Sequence, residues 1–257
     1  MSPEYSRESS RPLHILIFVL PLVILYEVGA VVYLRPAAGM GGAGVEQTIK
    51  AHRMLGDFFH SFGVAGVYLP AAAIVTVLLL WHVLSNERWK VKPWVLAAMG
   101  LESIVWTLPL LVLSAMHARA MGSATPAAAL AMIQQPADAQ AEWARLAWQA
   151  RATIAIGAGL YEELLFRFIG VALLHFLVRD IGKLKEGVAA TIAVVGAAIA
   201  FALYHHTRLA TGDMDWPKTL FIVAAGLYFG MLYILRGFGI VVGTHAIYDV
   251  LVLVMLT

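Results

Sequence analysis

Residues 13–34 read LHILIFVLPLVILYEVGAVVYL, a run with no Lys or Arg and a single carboxylate, Glu27. A helix needs about 20 predominantly apolar residues to cross the hydrocarbon core of a bilayer. This run meets that length, with Pro21 expected to break it. It is too long for the apolar core of a signal peptide, contains Glu27, and is closed by no small-residue cleavage site. The rest of the 257-residue chain resembles it in composition: 61% apolar, 13% charged, mean hydropathy +0.79. Soluble domains carry about 45–50% apolar and roughly 25% charged residues. Too few charges remain to cover a water-facing surface.

Further apolar runs fall at residues 63–84, 94–116, 146–178, 188–205, 219–235 and 238–256. The expectation is an all-α protein, a polytopic bundle of about seven transmembrane spans. The formal net charge of +2, with no extended basic cluster, gives no footprint for nucleic acid. The absence of cysteine excludes disulfides, thiolate metal sites and a cysteine nucleophile.

Lys and Arg distribution sets an expected orientation. Placing residues 85–93 (Arg88, Lys90, Lys92) in the cytoplasm also places the N-terminus, residues 179–185 and Arg236 there. That side then holds nine Lys/Arg on short segments, against eight on longer opposite loops. The opposite loops are residues 35–60 and 118–149. Within them, Gly39–Gly44 reads as a flexible loop and residues 139–149 as a helix lying at the interface. There is no internal repeat. Residues 1–145 read as N-terminal spans with non-cytoplasmic loops and 146–257 as the chemistry-bearing helix bundle, together one integrated domain.

Ionised side chains in a span cost about 2.5–3.5 kcal/mol each on insertion scales, so they suggest function by default. Here they collect in the C-terminal half. The fourth span carries Tyr161-Glu162-Glu163-Leu164-Leu165-Phe166-Arg167, the fifth ends in Phe201-Ala202-Leu203-Tyr204-His205, and the seventh carries His245-Ala246-Ile247-Tyr248-Asp249. Glu163 and Arg167 share a helical face as an i,i+4 pair. Glu162 is turned ~100° from its neighbour and faces elsewhere. His245 and Asp249 are again four apart, so the carboxylate can orient the imidazole. Glu162, His205 and His245 thus form a candidate site. A carboxylate withdrawn from bulk water is a strong proton acceptor, and imidazoles beside it can share protons or bind an oxyanion. Hydrolysis inside the membrane is the chemistry such a set serves.

The series Glu-Glu-x-x-x-Arg, Phe-x-x-x-His and His-x-x-x-Asp on C-terminal membrane helices resembles the CPBP intramembrane proteases, which include the CAAX prenyl endopeptidases and Abi-type proteins. The resemblance covers residues 157–254. It implies an intramembrane endopeptidase in which Glu162 and His205 activate water, His245 with Asp249 binds the oxyanion, and Glu163 and Arg167 support the site. Residue 249 is Asp where the prenyl endopeptidases carry Asn, which points to orienting His245 rather than donating to an oxyanion. The resemblance favours a reaction without a required cofactor. Two histidines and a glutamate are also a zinc ligand set, so zinc stands as the alternative. It further implies a membrane-anchored protein or peptide substrate, a maturation or sorting role, and the bacterial inner (plasma) membrane.

Two other functions use the same residues. Buried Glu and His chains serve proton-coupled transporters, although no inverted repeat is present. A non-catalytic immunity or scaffold protein would keep only the structural pair. Duller roles are expected elsewhere. His14, His52, His60, His82, His117 and His175 read as interfacial or loop histidines, with His206 turned away from His205. Trp81, Trp89, Trp94 and Trp106 read as an interfacial belt. Glu27 and Glu102 read as hydrogen-bonding to neighbouring helices, or one of them as lining a substrate path.

Overall fold

The apolar runs become helices because nothing else satisfies backbone polar groups in hydrocarbon. The computed structural model describes residues 2–34, 50–64, 66, 68–122, 146–205, 207–209 and 211–255. Among these residues it forms nine helical units: α1 (Pro3–Ser9), α2 (Pro12–Leu34), α3 (Lys50–Ser61), α4 (Leu69–Leu84), α5 (Pro93–Ala120), α6 (residues 148–181), α7 (Glu186–Tyr204), α8 (Trp216–Arg236) and α9 (Phe238–Val254). Four of them, α2, α5, α7 and α8, are long and apolar enough to cross a membrane; α4 and α9 are shorter apolar helices. The protein is an integral membrane protein.

Pro21 does not break the first helix, contrary to the sequence expectation. The helix runs through it, as α5 runs through Pro109, because neighbouring helices re-satisfy the freed backbone in a bundle. α4 starts six residues later than expected and spans only Leu69–Leu84. α6 is not a regular α-helix. Trp148–Gly157 is α-helical, but Ala158–Glu162, Leu164–Val171 and Leu177–Ile181 run as wide turns of the π type, a form frequent at functional sites.

α9 occupies the centre, packed on α5, α6, α8 and α2. Small residues allow the closest approach: a Cβ on Gly159 of α6 would lie 2.6 Å from the Ala246 backbone nitrogen of α9. α8 turns into α9 at Gly237, whose φ of +85° suits a residue without a Cβ.

One end of the bundle is laced by polar contacts. Arg11 meets Glu87 at 2.6 Å, Lys92 meets Glu4 at 2.8 Å, and Arg236 reaches the hydroxyls of Ser6 and Ser9. The N-terminus, the 85–92 connection and Arg236 therefore share an end, as the charge distribution suggested. At the other end, α7 passes into a tight hairpin in which Asp215 N donates to Thr207 O and Leu209 N to Asp213 O.

Within the opposite loops, α3 is a helix where the sequence suggested only a mixed segment. Gly39–Gly44, most of residues 139–149, and His206 lie outside the described residues.

Candidate active site

The wide turns of α6 direct two adjacent carboxylates inward, and Glu162 and Glu163 are both buried. They do different things. Glu163 Oε1 lies 3.0 Å from Arg167 Nη1 and 2.6 Å from His245 Nδ1. The expected i,i+4 pair is present, but Glu163 also holds the candidate histidine of α9. Asp249 sits at the other ring nitrogen, with Oδ2 3.5 Å from Nε2. The orienting role given to Asp249 therefore falls first to Glu163, which is nearer. Both nitrogens of His245 face carboxylates, and Phe229 stacks on the ring with centroids 4.4 Å apart.

Arg167 completes this layer. It is 1% exposed, its Nη2 donates to the Gly226 carbonyl, and its guanidinium lies 4.2 Å over the Phe201 ring and 5.2 Å from Phe229. A planar cation with five donors suits a site of one carboxylate, one carbonyl and two aromatic faces.

His205 is not inside its helix. It follows the last residue of α7 with extended backbone (φ −80°, ψ 162°), which swings the ring back over the helix end. Its Nδ1 donates to the Phe201 carbonyl at 2.8 Å, since a carbonyl can only accept. Phe201 also walls the ring, with centroids 4.5 Å apart, and lies 6.3 Å from His245. The tautomer fixed at Nδ1 leaves the Nε2 lone pair facing Glu162, whose Oε2 is 3.8 Å away. That is too far for a direct hydrogen bond. It is close enough for one water, standing off the line between them at about 2.8 Å from each, to bridge both.

Six of the residues singled out in the sequence thus meet. Glu162 and His205 form one pair, and Glu163, Arg167, His245 and Asp249 form a linked set beside it, with Phe201 between the two imidazoles. Sequence reasoning missed Phe229 and Tyr204. Phe229 lies on α8, which carried no motif. The Tyr204 hydroxyl faces Glu162, and its position next to His205 was the available signal.

Among the described residues no three His, Asp or Glu side chains group so as to hold a metal ion.

Outside the site, His14, His52 and His82 are buried within the bundle: His14 Nε2 accepts from Lys92 N, and the His82 ring lies edge-on to Trp89. Trp106 Nε1 donates to Glu102. Glu102 also pairs with Arg236 and accepts from Tyr5, and Glu27 accepts from Tyr161 at 2.8 Å. Both carboxylates bind neighbouring helices.

Residues 144–251 match the family model described as Type II CAAX prenyl endopeptidase Rce1-like. They form a domain of that family. The match begins four residues before α6 and ends within α9, so it contains every residue of the candidate site. No curated protein and no solved structure matches the chain. Membership of this domain family implies an intramembrane protease.

Proposed function

We propose that the protein is an intramembrane endopeptidase that hydrolyses a peptide bond in a membrane-anchored or membrane-associated protein. The observation that carries this reading is the buried pair Glu162–His205, separated by 3.8 Å with complementary acceptors facing one gap. A water there donates one proton to Glu162 and the other to His205 Nε2. Glu162 takes its proton as the oxygen attacks the scissile carbonyl. Negative charge then develops on the carbonyl oxygen, and His245 Nε2–H, engaged only at 3.5 Å by Asp249, is the donor that can turn to it. Glu163 and Phe229 keep that ring in place. The proton held by Glu162 passes to the departing amine, which frees the new N-terminus and restores the Glu162 carboxylate; the water's second proton leaves the new carboxylic acid through His205 Nε2. No metal is required.

About seven spans fit this reading, with α4, α6 and α9 crossing alongside the four longer helices. The bacterial inner membrane and a maturation or sorting role follow from the resemblance. The test is cleavage of quenched fluorogenic peptides bearing an acyl anchor, in detergent micelles. Glu162→Gln should lower kcat about 10³-fold or more, within the range of general-base effects, with the melting temperature unchanged. Wild-type turnover by that variant would refute the assignment.

A further inference from the structure

Helix α3 touches the residue that precedes each proposed water-activating group. The His52 ring of α3 lies edge-on to Tyr161, centroids 4.8 Å apart, and Tyr161 precedes Glu162. The Ala51 backbone N–H donates to the Tyr204 hydroxyl at 2.8 Å, and Tyr204 precedes His205. The Lys50 ammonium donates to the Tyr204 carbonyl at 2.8 Å and sits 4.6 Å over its ring.

These contacts answer needs of both helices. The Ala51 N–H lies in the first turn of α3, where N–H groups have no acceptor in their own helix. The Tyr204 carbonyl is one of the last of α7, and a cation at a helix C-terminus is favoured. Tyr204 itself packs edge-on against Phe166 and His205, centroids 5.2 and 5.0 Å away, and its hydroxyl faces Glu162. α3 buries only Ala51, His52 and Leu55, while its Met54 and Phe58, and Phe62 just beyond it, are exposed. The helix is seated on the bundle by one narrow stripe.

We propose that Tyr204 is a positioning residue for Glu162 and His205, and that α3, seated on it through Lys50 and Ala51, holds the pair at its water-bridging spacing. When α3 lifts, the spacing is lost and the site is disassembled, so seating of α3 regulates the reaction. This rests on the hydrolytic reading above, but its central contact can be tested without turnover.

The chain has no cysteine, so single reporters are clean. Ala51→Cys and, as a second reporter, Leu55→Cys are placed under α3 and reacted with a water-soluble maleimide in proteoliposomes. Adding Tyr204→Phe, which keeps the ring and the carbonyl, should speed labelling of both about tenfold, the size of one net hydrogen bond. With the acyl-anchored peptides, Tyr204→Phe should lower kcat about 10- to 100-fold and leave KM within about twofold. Unchanged labelling overturns the seating of α3 through Tyr204. Faster labelling with unchanged kcat overturns the positioning role. If the wild type cleaves no peptide, the hydrolytic reading fails on its own, and the labelling comparison still decides whether α3 is seated through Tyr204.

Discussion

Glu102 in α5 and Glu162 in α6 are each 6% exposed, both inside a membrane bundle, yet their surroundings differ in kind. Glu102 is saturated. Arg236 Nη2 donates to one oxygen at 2.8 Å and its Nε to the other; the Tyr5 hydroxyl and Trp106 Nε1 also donate. The arrangement staples α1, α5 and α8 at one end of the bundle. Glu162 is faced by the Tyr204 hydroxyl and, across a 3.8 Å gap, by a neutral imidazole acceptor, with no cation paired to it as Arg236 is to Glu102. A saturated carboxylate builds structure, while one with acceptor capacity left over can hold and activate a water. The difference lies in partners, since burial is the same.

The comparison can be broken from either side. The largest effect expected is the Glu162→Gln loss of turnover without loss of folding. Glu102→Ala should do the reverse: about 3–5 kcal/mol of stability lost, because Arg236 is left buried without its partner, and turnover per folded molecule retained. Denaturant or thermal unfolding in detergent beside a titrated activity assay checks both. If Glu102→Ala also abolishes turnover in the folded fraction, the two carboxylates are not separable.

Gly159→Val sharpens the contrast through packing alone. Its side chain would enter the Ala246 backbone and push α9 away from α6. Overpacking of this kind costs about 1–3 kcal/mol, and the shift should separate Glu163 from His245. Turnover should therefore fall more than a matched substitution at the open Gly100 produces. Equal effects at the two glycines would deny that the α6–α9 approach sets the site.

The smallest effect concerns the polar end. Burial acts to raise the Glu8 pKa, but hydrogen bonds from Arg11 and Lys92 outweigh it and hold the carboxyl below its ordinary 4.5. A depressed folded-state value means a contribution present above pH 4.5 and lost as pH falls through the folded value. Glu8→Gln should flatten the acid limb of the stability curve and leave stability near neutral pH lower by a small margin, because its partners Arg11 and Lys92 are themselves partly exposed. A stability curve of the same shape in the variant would remove Glu8 from the account.

Much of this was legible in the sequence, for physical reasons. Runs such as residues 219–235 can only be helices in lipid, and the i,i+4 spacing of Glu163 and Arg167 is a local rule. Contacts across the chain were not legible. Glu163 meets His245 eighty-two positions away, and Arg236 meets Glu102 one hundred and thirty-four away. α3 escaped notice because charges and glycine mask the short stripe of Ala51, His52 and Leu55. The wide turns of α6 have no compositional signature. They change which way Glu162 and Glu163 point, so spacing alone could not show that the second glutamate serves His245.

One high-resolution map of the protein in lipid nanodiscs tests the central claim most directly. The account predicts density for a single water within about 3 Å of both Glu162 Oε2 and His205 Nε2, absent when residue 162 is replaced by Leu. Direct contact between the two side chains, or a dry apolar seal between them, would contradict it.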